Sequence, residues 1–528
     1  CLQHKEIPAH LHFNQPNPGI AWGRIPVVVP VERMPWPQAK KRIAGVSAFG
    51  ASGTNAHLIV EEAPEPAPFE AAVDRPVHLL TLSAKSEGAL KALTERYEGY
   101  LAANRQAVLG DICYTANTGR SHFSHRLAIV AKSCEELRTR LVAFASGKVP
   151  SGVATGHNVE TERLKTAFLF TGQGSWYAAM GRQLYETQPV FRQTLERCSA
   201  ILKSDLKISL IDVLYPEKKN SFSIDDTLYA QPALFALQCA LFELWKSWGI
   251  EPSAVMGHGA GEYAAACAAG VFSLEDGLKL VAARARLMQA AEFEKVARQV
   301  NYSSPRTGII SNVTGKLIEK EIATPDYWVR HVQQPVRFTD GVKTLEQQGC
   351  EVFIEIGPSP VLLGMARQSL LCKEAVLIPS LRQGRPDWTQ LLSSLGELYV
   401  RGLSVDWQGF DREYPRCKVV LPTYPFQRRR YWIDKEKSPH AGRVVASEGE
   451  TSAIVTMLNH GDTEQLAQLV TNKECLSEDE INLLPKMLKI LVRQHEQHQT
   501  MVSLNDWLYE VRWPTRPRDE QRVGQKAA

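Results

Sequence analysis

The stretch Met256-Gly-His-Gly-Ala-Gly-Glu-Tyr263 has the residues of a nucleophile turn with the nucleophile left out. With serine at position 259 it would read Gly-His-Ser-x-Gly-Glu, a strand-to-helix turn that lifts a hydroxyl above the end of a sheet. Gly259 has no Oγ, so no covalent acyl intermediate can form on it. The turn is sharp, and Gly257 and Gly261 would let the backbone pass close to the following helix. His258 stands beside the vacant position. It is read either as a residue near an acyl pocket or as a histidine packed beside the turn, and the second is favoured without a serine.

Such a turn needs an apolar strand before it and a helix after it. "PSAVMGHGAGEYAAACAAG" (252–270) supplies both, and "KTAFLFTGQGSWYAAMG" (165–181) repeats the design, breaking at Gly172 and Gly174. "TGIISNVTG" and "CEVFIEIGPSPVLLGMAR" add strands, the second followed by a Gly-Pro turn and a helix. Strands alternating with helices imply an α/β fold with a parallel sheet, whose sites gather at the carboxyl ends of the strands. The apolar run from Thr227 to Phe242 predicts a buried helix.

Upstream, "HLLTLSAKS" and "HRLAIVA" (125–131) predict strands. Residues 86–102 predict a helix with Leu90, Leu93 and Tyr97 inward, and another runs from Ser133 to about Phe144. Residues 61–76 are rich in proline and acid and read as a linker. In the turn-rich stretch 1–64, the run Leu58-Ile59-Val60 predicts a buried strand. Near the other end, Ser477 and Glu480 make a capping box. Leu484, Met487, Leu488, Leu491 and Val492 follow as one apolar stripe, equally suited to a packed amphipathic helix or a dimerising coiled coil. "WLYEVRWP" (507–514) alternates like a strand.

A chain of 528 residues is too long for one ordinary core, and 22% charged with 44% hydrophobic residues is a soluble composition. A net charge of +4 gives no reason to expect nucleic acid or an anionic membrane as partner. The ten scattered cysteines form no CxxC pair, which argues against zinc and a disulfide framework and fits a reducing cytoplasm. Neither signal peptide nor membrane span is visible, and the chain, starting at Cys1, reads as a piece of something longer. The triplet Arg428–Arg430 reads as a solvated or inter-domain loop rather than a phosphate site.

Several segments, in a fixed order, resemble modular type I polyketide synthases. "AGVSAFGASGTNAHLIVEEAP" resembles the end of a ketosynthase, and 77–150 the linker between ketosynthase and acyltransferase. "FTGQGSWYAAMG", "GHGAGEY", "ARARLMQ", "ISNVTG" and "EIGPSPVLLGM" follow the order of a malonyl-CoA:acyl carrier protein acyltransferase. "LPTYPFQRRRYW" looks like the linker after it, and "WLYEVRW" like the start of a ketoreductase-type structural subdomain. The resemblance implies a ketosynthase end at 1–64, a linker domain at 65–155 and an acyltransferase-like domain at 165–415. It further implies a post-acyltransferase linker at 416–434, a helical linker and candidate dimerisation element at 435–504, and the subdomain start at 505–528.

It also implies an α/β-hydrolase-like core and transfer of malonyl-type units from CoA to the phosphopantetheine of a carrier protein. No cofactor is bound directly and no metal is used. Expected partners are the acyl carrier protein, the other synthase domains and a second copy through the parent synthase. By the same resemblance, the oxyanion hole falls on Gln173 and Ala260, and Arg284 clamps the malonyl carboxylate, with a surface ion pair as its alternative. Trp176 fills space by the pocket, and "GHGAGEYAAAC" looks more like malonyl than methylmalonyl enzymes.

The family's catalytic histidine lies in a stretch that also forms a small ferredoxin-like subdomain. Here "ARARLMQAA" runs straight into "EFEKVARQVNYSSPR", and no histidine lies between His258 and His331. The 1–64 piece starts after the ketosynthase's catalytic positions, and His57 is not a catalytic base. Nucleophile and base are both missing, so this copy is expected to be inactive. The alternatives are a non-catalytic scaffold served by a separate acyltransferase, or the product of a deletion. The helical pieces within 277–300 should fuse or, as favoured, meet at a kink near Ala290–Ala291, leaving Arg284 and the Gly259 turn open to water.

Overall fold

A computed structural model describes residues 1–37, 41–64, 74–158, 164–204, 206, 208–216, 227–286, 290–431, 463–471 and 477–505. The chain divides into two units, 1–427 and 428–528.

The first unit opens with two ribbons: β1 (Glu6–Ile7) with β2 (Met34–Pro35), and β3 (Ile43–Phe49) with β4 (Asn55–Glu61). β4 forms where the apolar run predicts a strand, but the expected burial fails: Leu58, Ile59 and Val60 are 65%, 75% and 43% exposed. The physical reason is that no described residue covers either face of the ribbon.

A small layered unit follows. Its sheet has the order β5 (His78–Ala84), β6 (His125–Ala131), β7 (Val153–His157), antiparallel throughout. Helices α1 (Glu87–Ala103), α2 (Leu109–Thr118) and α3 (Cys134–Ala145) accompany it. Leu90, Leu93 and Tyr97 face inward as predicted, joining Leu80, Ile112, Leu127 and Leu137 in one core. Ser86 and Ser133 cap α1 and α3, their Oγ atoms accepting from the amides of Ala89 and Glu136 at 3.2 Å.

The large α/β region begins at β8 (Lys165–Phe170), followed by α4 (Arg182–Thr187), α5 (Pro189–Ile201), α6 (Leu210–Leu214) and α7 (Thr227–Ser247). β9 (Ala254–Gly257) leads into α8 (Gly261–Ala269), then α9 (Leu274–Ala285) and α10 (Ala290–Ala297). β10 (Gly308–Ile310) and β11 (Leu317–Ile318) precede α11 (Pro325–Gln333) and α12 (Phe338–Gln347). β12 (Cys350–Ile356), α13 (Val361–Ser369), β13 (Val376–Pro379), α14 (Asp387–Val400) and α15 (Trp407–Asp411) complete it.

The sheet order is β11-β10-β9-β8-β12-β13, parallel except at β11. Strands covered on both faces are apolar at nearly every position, as in Phe168, Leu169 and Phe170, all fully buried. α7 is the buried helix predicted from Thr227 onward, with Leu234, Leu237 and Leu241 in the core.

α9 ends at Ala285, where the amide of Arg286 bonds back to Ala282, and α10 starts anew at Ala290. The two pieces are therefore separate helices rather than one fused helix. The connecting residues 287–289 lie outside the described residues. Val281, Phe293 and Ala297 all enter one core, which fixes the angle between the helices by packing.

After α15 the chain returns over the small unit. The Cys417 amide donates to Asp111 at 2.9 Å, the Arg120 guanidinium to the Leu421 carbonyl at 3.3 Å, and Arg96 to the Thr423 carbonyl at 3.0 Å. At the root of this strap, Arg75 is buried on Asp411, while Arg416 reaches Asp411 at 3.1 Å and Asp74 at 2.6 Å. The Arg75 guanidinium also lies 4.0 Å from the centre of the Phe410 ring.

In the second unit, α16 (Thr463–Thr471) packs on α17 (Glu478–Asn505). The Ser477 amide donates to the Glu480 carboxylate at 2.9 Å, the capping bond the sequence predicts. The predicted single stripe splits. Leu488 and Val492 are buried, whereas Met487 and Leu491 are 58% and 53% exposed, because α16 covers only a narrow face. Arg428–Arg430 are exposed. The strand expected at 507–514 lies outside the described residues. No helix among the described residues is long and apolar enough to cross a membrane.

Candidate functional site

Four parallel strands deliver their carboxyl ends to one edge: β8 at Thr171, β9 at His258, β10 at Ser311 and β12 at Gly357. The turn after β9 is closely packed. Gly259 has φ of +54°, in the left-handed region where a side chain is strained, and a Cβ placed on it would meet nothing within 4 Å. Its neighbours are the reverse. A Cβ on Gly257 would lie 2.1 Å from the Glu262 nitrogen, and one on Gly261 would lie 2.2 Å from the Phe170 carbonyl oxygen. The flanking glycines are therefore required by close approach, while position 259 opens on space.

The side chains expected at the site are arranged unevenly. His258 is half-buried, its ring edge-on to Phe338 at 5.7 Å, and burial holds its imidazole below the usual histidine range. It packs beside the turn. Ala260 leads into α8 and Gln173 lies exposed after β8; among the described residues, neither backbone amide donates to a protein acceptor. Trp176 is half-buried against the core.

Arg284, near the end of α9, lies with its guanidinium carbon 5.5 Å from the centre of the Tyr263 ring. Its Nη1 is buried without a hydrogen-bond partner among the described residues. The surface ion pair weighed as its alternative is not formed there. Gly259 and Arg284 are each half-buried. α10 packs beside α9, with Phe293 buried.

Sequence reasoning missed the residues that hold the turn. Asn312 accepts from the Gly259 amide at 2.7 Å and donates to the Gly257 carbonyl at 2.8 Å, bracketing the turn with one amide group. The fully buried Glu262 carboxylate accepts from the Asn312 amide at 3.1 Å and from the Tyr327 hydroxyl. Burial and that carboxylate push the Tyr327 phenol above its ordinary range. His331 Nε2 sits 3.1 Å from Glu262 but off the line of a hydrogen bond. Below β8, Gln238 of α7 donates to the carbonyls of Thr171 at 2.7 Å and Ile356 at 3.3 Å. The available signal was the position of Asn312 just past the end of β10, inside "SNVTG", and of Glu262 in the first turn of the helix after the glycine turn, inside "GAGEY".

Residues 167–304 match the family described as acyl transferase domain, and residues 78–141 the one described as CurL-like, PKS C-terminal. The phenolphthiocerol synthesis polyketide synthase type I Pks15/1 of Mycobacterium marinum is 34% identical over 521 residues, covering 82% of this chain and 24% of that protein. Polyketide synthase GfsA of Streptomyces halstedii is 32% identical over 86% of this chain and 7% of its own length. The chain thus spans less than a third of these relatives. Among solved structures, the acyl transferase domain of ZmaA aligns with a TM-score of 0.62 and 29% identity, over 67% of this chain and 100% of that one. The acyltransferase domain from module 8 of the salinomycin polyketide synthase aligns at 0.55 with 26% identity, over 64% and 99%.

Proposed function

Because this chain carries the acyl transferase domain of a modular type I polyketide synthase, we propose that it keeps the architecture of a malonyl-type acyltransferase while lacking its covalent chemistry. In the reaction so implied, a serine Oγ attacks the thioester carbonyl of malonyl-CoA and the CoA thiol leaves. The phosphopantetheine thiol of an acyl carrier protein then takes the acyl group from the serine. Gly259 occupies the nucleophile position; Gln173 and Ala260 supply the oxyanion amides; Arg284, with its unpartnered Nη1, faces the malonyl carboxylate; His258 packs beside them.

One observation carries the inactive reading. Gly259 carries no side chain, and a Cβ placed on it would meet no group within 4 Å beyond its chain neighbours, so the position itself offers no nucleophile. Neutral His258 belongs to the turn, and His331 is buried against Glu262. A scaffold role is favoured over a failed deletion product by the closed packing of α9 and α10 around one core.

The domain roles follow the resemblance. Strands β3 and β4 present an exposed apolar face through Val46, Leu58 and Val60, which fits the ketosynthase end assigned to 1–64. The linker domain, strap and helical linker take the ranges 65–155, 416–434 and 435–504. The exposed apolar residues of α17 fit a dimerising element of the parent synthase. The other synthase domains and the carrier protein are the partners.

Incubation of the purified chain with radiolabelled malonyl-CoA tests the central reading. The expected result is no label; stable, stoichiometric label at the Gly259 turn overturns it.

A further inference from the structure

Three thiols gather where α5, α7 and α8 pack: Cys198, Cys239 and Cys267. Cys198 and Cys239 are buried, and Cys267 is half-buried. Cys239 and Cys267 share the wall of one cleft of about 320 Å³, with Thr194, Arg197 and Phe242 beside them, whereas Cys198 does not line it. α7 packs on α8 there, and the Cys267 sulfur is near enough to raise the Cys239 thiol further above its ordinary range. A small oxidant in the cleft therefore meets Cys267 with a second thiol already in place.

We propose that Cys239 and Cys267 form a peroxide-sensitive dithiol that closes to a disulfide between α7 and α8. The Cys267 sulfur attacks one oxygen of hydrogen peroxide, giving a sulfenic acid and releasing water. The Cys239 sulfur then attacks the sulfenic sulfur, forming the S–S bond, and the hydroxyl leaves with the thiol proton as a second water. Two thiols and one peroxide become one disulfide and two waters; the sulfur pair loses two electrons and the peroxide gains them.

The order of the steps follows from access. Cys267 is reached from the cleft. Cys239 is buried, and burial with the Cys267 contact holds its thiol well above the ordinary range, so it reacts second. Cys198 is pushed up to about 12 by burial, and it has no place on the cleft wall.

The bond would tie together two supports of the candidate site. Gln238, next to Cys239, holds the Thr171 and Ile356 carbonyls, and α8 springs from the Gly259 turn.

Treatment of the whole chain with hydrogen peroxide, then peptide mapping by mass spectrometry without reductant, tests this. The expected product is a linked peptide pair joining Cys239 to Cys267, lighter by two hydrogens and released by dithiothreitol. Cys239→Ser should abolish it and leave Cys267 open to dimedone, which labels sulfenic acids. Cys267→Ala, a small residue among alanines, should abolish both, and Cys198→Ser should change neither. Links through the exposed Cys1, Cys372 or Cys417 are told apart by the mapping. Over-oxidised Cys267 without the link, a link from either residue to Cys198, or two untouched thiols would each overturn the proposal.

Discussion

Two sets of strands in this chain have similar apolar sequences and opposite surroundings. In the β3–β4 ribbon, Ile43, Val46, Phe49, Leu58 and Ile59 are 55%, 54%, 80%, 65% and 75% exposed. In the central sheet, Phe168 of β8 and Phe353 and Ile354 of β12 are fully buried. Both regions are hydrogen-bonded ladders, the ribbon in unbroken register and the β8–β12 pair with one irregularity between Cys350 and Val352. What separates them is cover: helices pack against the central sheet, and no described residue packs on the ribbon. A two-stranded ribbon has little stability of its own, because burial comes from the second layer and not from the strand.

The sharpest way to break the comparison is to force the sheet apart at a closely packed point. Gly257→Ala would put a Cβ 2.1 Å from the Glu262 nitrogen at the end of β9. The expected loss exceeds about 4 kcal/mol, at the extreme of single substitutions. Ile59→Ala in the ribbon should change stability by less than about 0.5 kcal/mol. Urea unfolding followed by tryptophan fluorescence reads both. A ribbon substitution that costs as much as a core one would mean that the ribbon is covered in solution.

A second test contrasts ion pairs. Asp411→Ala leaves the buried Arg75 without its carboxylate, and removing one partner of a buried pair costs about 3–5 kcal/mol. Lys41→Ala breaks an exposed pair with Glu61 in the ribbon, at 3.3 Å, and should cost about 0.5 kcal/mol or less. Equal effects in urea unfolding would remove the distinction between the regions.

The ribbon also marks the limit of what the sequence reveals. The run Leu58-Ile59-Val60 predicts a strand correctly, because alternation and β-branching are local properties. It predicts burial wrongly, because burial depends on what covers the strand. The parallel sheet, the glycine turns and α7 were legible because each rests on a pattern within one segment. Position 259 was legible too, since its neighbours show what a nucleophile turn needs. Asn312, Glu262, Tyr327 and Gln238 were not legible, because each acts through a partner at least fifty residues away or on another strand end. The split stripe of α17 was hidden for the same reason: which of its apolar residues are covered depends on what packs on the helix from elsewhere in the chain.

The buried side of the comparison should also answer to pH. Burial pushes the Glu355 carboxyl up to about 8 from 4.5, against the pull of the Leu362 and Leu363 amides, each donating at 2.8 Å. The folded protein then keeps a proton that the unfolded chain gives up. This contribution is full below 4.5 and is lost as pH rises through about 8. Asp387, raised to about 6, slopes the same way over a lower window, and His78, lowered to about 4, slopes the opposite way below 6.5. Between pH 7 and 9 Glu355 dominates these three, and the expected fall is about 1–2 kcal/mol. Urea midpoints across that range measure it. Glu355→Gln should flatten the profile, and an unchanged slope in that variant would assign it elsewhere.

A further test falls at the turn itself. Gly259→Ser adds a side chain to a residue with φ of +54°, and the strain of the left-handed region costs about 1–2 kcal/mol. No steric cost is added, because the new Cβ meets nothing within 4 Å. The bonds from Asn312 to the Gly259 amide and the Gly257 carbonyl use backbone groups and should survive the change. The variant should therefore stay folded, unlike Gly261→Ala, whose Cβ would lie 2.2 Å from the Phe170 carbonyl oxygen. Its hydroxyl would stand at the start of α8 beside the Ala260 amide, and an unassisted hydroxyl is a poor nucleophile at neutral pH, so label from radiolabelled malonyl-CoA should stay at background. A loss of stability as large as that of Gly261→Ala would show that position 259 is not shaped for a side chain. Label approaching one per chain would show that a base reaches the turn after all, and would replace the silent reading with an enzyme lacking only its nucleophile.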